Sequence, residues 1–121
     1  MALPTISPFD GALIIDKPAT WTSHDVVAKV RNHFRLEKVG HCGTLDPMAT
    51  GLLILVLGKA TKYSERFMSS DKVYEGVMRL GETTDSYDAD GELTGSMLVP
   101  PLSVDDLNEA AASFTGDLMQ T

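Results

Sequence analysis

The stretch "GHCGTLDPMATGLLILVL", residues 40–57, decides the fold and contains the strongest candidate for a chemically active side chain. Its second half, residues 52–57, is a continuous apolar run of strand length, which predicts a strand at the centre of a sheet. Its first half is a glycine-rich loop that holds Asp46 between Leu45 and Pro47. A carboxylate rarely lies beside a buried strand unless it is paired or functional, so Asp46 requires an explanation.

The rest of the chain predicts a mixed α/β (α+β) fold. Thr22 and Asp25 have the spacing of a capping box, and the valines that follow form an apolar helical stripe. Ser103 and Asp106 have the same spacing before the last helix. The predicted order is strand 12–15, helix from 22, loop 37–51, strand 52–57, helix 61–68 capped by Thr61, strand 72–81, polar turn 82–92, strand 93–99 and helix from 103.

Composition indicates one globular unit of 121 residues, with 43% hydrophobic and 22% charged residues. No apolar run approaches the roughly 20 residues that a membrane helix needs, and the N-terminus does not resemble a secretory signal. Cys42 is the single cysteine, which fits a reducing cytoplasm. The net charge of -7 is unfavourable for binding phosphates, yet nine of the ten basic residues lie between Lys17 and Lys72.

Two binding motifs fail on spacing. "VLGKAT" lacks the glycine spacing and the hydroxyl position of a phosphate-binding loop. A calcium loop starting at Ser86 would place Met97 where a bidentate carboxylate is required. The histidines and Cys42 show no recognised ligand spacing, so the sequence predicts no metal site.

Asp46 has two readings on pattern alone. Pro47 restricts the backbone of the residue before it, and Gly43 permits close approach, which together suit a preset carboxylate for nucleophilic or acid/base work. A turn aspartate that accepts local backbone hydrogen bonds fits the same pattern. Tyr74 also has two interpretations. It is either a core aromatic residue of an alternating strand, or its ring is a flat surface on which a base stacks.

Three segments resemble successive motifs of the TruB family of tRNA pseudouridine synthases, bacterial type. They are "GALIIDKPATWTSHDVV", "KVGHCGTLDPMATGLLILVLGKATKYS" and "KVYEGVMRLGETTDSYDADGE". The resemblance runs from about Phe9 onward, and "GHxGTLDPxATG" followed by "KxY" is a highly specific combination. It implies the N-terminal part of the pseudouridine synthase fold, a mixed, largely antiparallel sheet with flanking helices.

The resemblance also implies an isomerase that converts a uridine in the T arm of tRNA (uridine 55) to pseudouridine by base flipping, without a cofactor. Asp46 would be the catalytic nucleophile, Tyr74 would stack on the target base, and His41 would contact the RNA. The site would be supported by two further groups of residues: Lys17 and Pro18, and Gly43, Thr44 and Leu45. The T-arm stem-loop would be the partner, with no membrane, no obligate protein partner, a monomeric state and a cytoplasmic location.

Family members continue beyond "FTGDLMQT" with further strands, an active-site arginine and often a C-terminal RNA-binding domain. Residues 1–121 are therefore expected to be the N-terminal portion of the catalytic domain and to be inactive alone. Two alternatives stay open: a guide-directed relative that modifies ribosomal RNA, and a non-catalytic RNA-binding or folding module.

Overall fold

The apolar run at residues 52–57 is the middle strand of a three-stranded antiparallel sheet, as predicted. The structure, a computed structural model, describes residues 8–120. The chain divides into two units, Met1–Tyr74 and Glu75–Thr121. The first unit contains β1 (Gly11–Lys17), α1 (Ser23–Phe34), β2 (Val39–His41), β3 (Gly51–Leu57), a 3₁₀ helix (Gly58–Tyr63) and α2 (Ser64–Met68). The second contains β4 (Glu82–Thr84), β5 (Leu93–Ser96) and α3 (Val104–Ala112).

The core of the first unit lies between α1 and one face of the sheet. Alternate residues of β3 point towards the helix, because successive side chains of a strand lie on opposite faces. The buried cluster comprises Val26, Val27, Val30, Leu53, Leu55 and Leu57. The opposite face is partly uncovered: Ile14 is 70% exposed and Leu52 is 64% exposed. The α+β class is therefore confirmed, with helix cover on one side of the sheet.

Both predicted capping boxes are present. The Thr22 side chain accepts a hydrogen bond from the Asp25 backbone N–H, and the Asp25 carboxylate accepts one from the Thr22 N–H. These hydrogen bonds stabilise the ionised form, so they lower the pKa of Asp25. Ser103 and Asp106 form the same arrangement at the start of α3. These local signals correctly located the starts of α1 and α3.

The prediction of a strand over residues 72–81 was wrong. Residues 71–79 have no regular secondary structure. Tyr74, Val77 and Met78 are all exposed. An alternating pattern makes a strand only when another strand supplies the hydrogen-bond partners, and no described strand pairs with this segment.

Three shorter corrections concern the loops. Residues 39–41 were expected to be loop but form β2, because β3 offers a free edge to which Val39–His41 pair. Residues 82–84 were assigned to a turn but form β4, which pairs with β5. Thr61 does not cap a helix: it lies inside the 3₁₀ helix, and α2 begins after Tyr63 without a side-chain cap. No described helix is long and apolar enough to cross a membrane.

Candidate active site

The loop that carries Asp46 is held at three points. It leaves β2 through Cys42, whose backbone N–H donates to the Ile54 carbonyl of β3 at 2.8 Å. Its middle is held at Leu45, whose N–H donates to the buried hydroxyl of Ser23 at 3.0 Å. Its far side is held at Pro47, whose carbonyl accepts from the Thr20 N–H at 2.7 Å. The backbone on both sides of Asp46 is therefore fixed by contacts with other elements.

Lys17 adds a further hydrogen bond to this loop, at Pro47. It is the last residue of β1 and is 0% exposed. Its ammonium group donates to the carbonyls of Pro18 at 2.9 Å, Trp21 at 2.6 Å and Pro47 at 3.2 Å. A buried charge is tolerated only when its donors are satisfied, and three carbonyls match the three N–H groups of an ammonium. Lys17 thus ties the end of β1 to the residue after Asp46.

Asp46 itself is exposed, and its carboxylate makes no hydrogen bond or ion pair to any residue in the range 8–120. Only its backbone carbonyl is used, as acceptor for the Ala49 N–H at 2.9 Å. The structure therefore does not support a turn aspartate whose side chain caps local backbone groups. A fixed backbone with an uncommitted carboxylate leaves the side chain available to an incoming molecule.

His41 lies at the end of β2, where its Nδ1 is 2.7 Å from the carbonyl of Gly43. A carbonyl can only accept, so Nδ1 carries the proton, and in the neutral ring Nε2 is left as an acceptor. Gly43 has φ of +108°, a conformation that L side chains rarely adopt. This contact orients the imidazole at the start of the loop.

The remaining predicted residues occupy different surroundings. Leu45 packs against the core cluster, whereas Thr44 and Pro18 are exposed. Tyr74 is 70% exposed and has no described contact with Asp46. The chain just before it passes the loop: the Lys72 Cε lies 3.9 Å from the position a Cβ on Gly43 would take. Tyr74 therefore follows two positions after a residue that lies near the loop.

Sequence reasoning missed Ser23. It is 2% exposed, and its hydroxyl both accepts from the Leu45 N–H and lies 3.4 Å from the Leu45 carbonyl. Because Ser23 directly follows the Thr22 cap, the sequence indicated only that it begins a helix. Nothing in the pattern predicted its contact with a loop 22 residues away. Cys42 is buried, and burial raises the pKa of its thiol, which disfavours the reactive thiolate. No group of three or more potential metal-binding side chains occurs within residues 8–120.

Ser23→Ala tests the middle anchor. We expect the free energy of unfolding of the purified chain to fall by about 1–3 kcal/mol, because the Leu45 N–H loses its partner in a buried place. Urea denaturation followed by circular dichroism measures this. Ser70→Ala, at an exposed serine, is the matched control and should change stability by less than about 0.5 kcal/mol. Equal effects of the two substitutions would show that the Ser23 contact does not hold the loop.

Comparison with known proteins places this loop in a family. A family model described as TruB family pseudouridylate synthase (N terminal domain) matches residues 31–121. The chain is 53% identical over 112 residues to the tRNA pseudouridine synthase B of Opitutus terrae, with coverage of 93% of this chain and 46% of that protein. It is 48% identical over 111 residues to the protein of the same name from Streptomyces coelicolor, covering 92% of this chain and 37% of that one.

Two solved structures are also similar in sequence. An H/ACA RNP bound to a substrate RNA containing 2'-deoxyuridine has a chain 46% identical to this one, with a TM-score of 0.45 over 46% of this chain and 18% of that chain. A Cbf5–Nop10–Gar1 complex has a chain 46% identical, with a TM-score of 0.46 over 47% of this chain and 17% of that chain.

The relatives from Opitutus and Streptomyces are both named tRNA pseudouridine synthases, which gives the class of protein that this chain resembles. The chain belongs to the TruB family of pseudouridylate synthases. It spans less than half the length of these two relatives.

Proposed function

We propose that the chain supplies the nucleophile-bearing part of a tRNA pseudouridine synthase that isomerises a uridine of the T arm, uridine 55. The observation that carries this proposal is the uncommitted carboxylate of Asp46 on a loop fixed at three points. The names of the relatives support the substrate class. The remaining points are parts of the same proposal: no cofactor, no obligate protein partner, a monomeric state and a cytoplasmic location.

The reaction requires a group of this kind. A uridine inside folded RNA is unreachable, so it must first leave its stack, at a cost of a few kcal/mol. The bond between the sugar C1′ and the base N1 breaks, the uracil rotates, a bond from C1′ to C5 forms, and the proton on C5 is lost. The Asp46 carboxylate serves this sequence either by adding to the base or by holding the sugar at C1′ once the base has left.

The loop anchors explain why Asp46 suits this task. A nucleophile gains most when it is already positioned and does not have to be ordered during the reaction. Pro47 restricts the backbone of Asp46, and Lys17 and Ser23 hold the residues on either side of it. In this proposal the Nε2 of His41 accepts a hydrogen bond from the RNA near the gap that the flipped uridine leaves.

Tyr74 is proposed to stack on the flipped uracil and to assist proton removal. Its exposed ring is compatible with that role, and Lys72, two residues before it, lies near Gly43 of the loop. An exposed aromatic ring gains free energy when a base covers it, whatever the base sequence.

Activity is tested in a chimera, the Opitutus terrae relative in which this chain replaces the matching segment. Tritium release from a T-arm stem-loop labelled at C5 of uridine reports loss of the C5 proton. We expect the chimera to release tritium and to form pseudouridine detectable by mass spectrometry. A folded chimera that binds the stem-loop but releases no tritium would overturn the proposed activity.

Substitution of Tyr74 separates its two proposed roles. In the chimera, Tyr74→Phe should keep RNA affinity within about twofold and lose most of the rate, because stacking remains and the hydroxyl is gone. Tyr74→Leu should also weaken binding by about 1–3 kcal/mol, since base–aromatic stacking is removed. Tyr87→Leu, at another exposed tyrosine, is the control. Small and equal effects of both Tyr74 substitutions would exclude both roles.

A further inference from the structure

Thr20, in the turn that joins β1 to α1, has a backbone conformation that its residue type disfavours. Its φ is +72°, in the left-handed region. Within residues 8–120, Arg35 and Tyr87 are the other non-glycine residues with positive φ, and Arg35 lies at the end of α1, where helices commonly adopt this conformation. For a β-branched residue such as threonine the conformation is an outlier, which persists only when the surroundings impose it.

The contacts around Thr20 impose this conformation. The Thr20 N–H donates to the Pro47 carbonyl at 2.7 Å. The Pro18 carbonyl before it and the Trp21 carbonyl after it both accept from the Lys17 ammonium, at 2.9 and 2.6 Å. The turn is therefore fixed on both sides of Thr20. Rotation of φ to a negative value would turn the preceding peptide unit and direct the N–H away from Pro47.

The side chain of Thr20 gives no reason for the conformation. It is exposed, and its hydroxyl forms no hydrogen bond with any residue in the range 8–120. Glycine and asparagine adopt the left-handed region more readily than threonine. What the conformation provides is the direction of the backbone N–H, because the bond to the Pro47 carbonyl depends on it.

The Pro47 carbonyl receives two donors from this part of the chain. One is the Thr20 N–H, and the other is the Lys17 ammonium at 3.2 Å. A carbonyl oxygen has two lone pairs, so both are occupied. Two donors determine the direction of the carbonyl more tightly than one. This carbonyl belongs to the residue bonded directly to Asp46, so its direction affects the backbone that carries the carboxylate.

We propose that Thr20 is a positioning residue for Asp46. Its left-handed conformation directs the N–H to the Pro47 carbonyl and so fixes the direction in which the Asp46 carboxylate leaves the loop. Thr20 takes no part in the chemistry. Its effect on the reaction rate rests on the proposed function, whereas its effect on the order of the loop does not.

Thr20→Pro tests the effect on the loop in the 121-residue chain. Proline has φ of about −65° and no N–H, so both the conformation and the bond are lost. The Ala49 N–H, which donates to the Asp46 carbonyl at 2.9 Å, is the local reporter. We expect nuclear magnetic resonance to show about tenfold faster hydrogen exchange at Ala49 and unchanged exchange at Val30 in α1. If circular dichroism shows that this variant is unfolded, the α-hydroxy analogue of threonine at position 20 removes the N–H alone.

Two further variants separate the backbone of Thr20 from its side chain. Thr20→Asn keeps the N–H and relieves the strain, so we expect the urea midpoint of unfolding to rise by about 0.5 M. Thr20→Val keeps the shape and the β-branching but removes the hydroxyl, so both the midpoint and the exchange at Ala49 should stay unchanged. A lower midpoint for Thr20→Asn, or faster exchange at Ala49 in Thr20→Val, would overturn the role assigned to the backbone.

The chimera gives the effect on the reaction. With Thr20→Pro, or with the α-hydroxy analogue, kcat should fall about 10–100-fold while KM changes less than about twofold, because the nucleophile is misplaced and the RNA still binds. Thr20→Asn should retain the parent kcat. Wild-type exchange at Ala49 in the folded proline variant, or equal acceleration at Ala49 and Val30, would overturn the proposal. A parent chimera that releases no tritium would contradict the proposed function alone, since exchange at Ala49 still decides whether Thr20 positions the loop.

Discussion

Asp46→Asn is expected to reduce pseudouridine formation by the chimera by several orders of magnitude while leaving its fold and RNA affinity nearly unchanged. Asparagine has the same shape but cannot act as an anionic nucleophile. This substitution should not disturb the fold, because the Asp46 carboxylate has no hydrogen-bond partner within residues 8–120 that the change would remove. Single-turnover tritium release at saturating stem-loop measures the rate, and fluorescence anisotropy measures binding.

Two companion variants interpret this result. Asp46→Glu keeps the charge but moves it by one methylene, so a large decrease in rate would show that position matters as well as charge. Asp90→Asn makes the same chemical change at an exposed aspartate in the second unit and should leave the rate unaltered. Wild-type turnover by Asp46→Asn would eliminate Asp46 as the nucleophile and return it to a structural role.

Lys17→Met is expected to produce the largest decrease in stability, about 2–4 kcal/mol. The methionine fills a similar volume but leaves the carbonyls of Pro18, Trp21 and Pro47 without the ammonium donor. Hydrogen bonds to a charged group contribute about 1.5–3 kcal/mol each, and partial rehydration of exposed carbonyls reduces the total. Urea denaturation of the 121-residue chain, followed by circular dichroism, gives the free energy of unfolding.

The control for this prediction is Lys29→Met, at an exposed lysine of α1, which should shift stability by less than about 0.5 kcal/mol. Lys17→Arg adds a second comparison, because a planar guanidinium is a poor substitute for a compact ammonium surrounded by three carbonyls. If Lys17→Met and Lys29→Met unfold at the same urea concentration, the three hydrogen bonds do not hold the loop.

The sequence predicted the elements whose signals are local. The capping box at Thr22 starts α1, and the uninterrupted apolar run forms β3, because both signals lie within the segment itself. The alternating residues 72–81 carry an equally regular pattern and yet form no strand, because strand formation depends on a partner elsewhere in the chain. Periodicity predicts which side chains of a segment would share a face if it formed a strand, but it does not predict which other strand the segment pairs with.

The loop was predictable from the sequence, and the family resemblance named Lys17 as a supporting residue, but the hydrogen bonds that hold the loop were not predictable. The glycines and Pro47 identified the loop around Asp46, whereas the bond from Lys17 to the Pro47 carbonyl joins residues 30 positions apart. Lysine is almost never buried, so its type gave no sign that it would be the fully enclosed end of β1. The contact of Ser23 with the loop was equally unpredictable, because the capping motif at Thr22 already accounted for a serine at this position.

The antiparallel pairing of β1 with β3 also has a consequence that we expect for the order in which the chain folds. Gly11 pairs with Leu57, so α1, β2 and the Asp46 loop all lie inside the segment that this pairing closes. Helix α1 can form from nearby residues, whereas the hydrogen bond from Lys17 to the Pro47 carbonyl joins residues 30 positions apart, and we expect it to form once β1 and β3 are in register. We therefore expect the carboxylate loop to be completed late in folding, after this long-range pairing, so that its geometry reports on the integrity of the sheet.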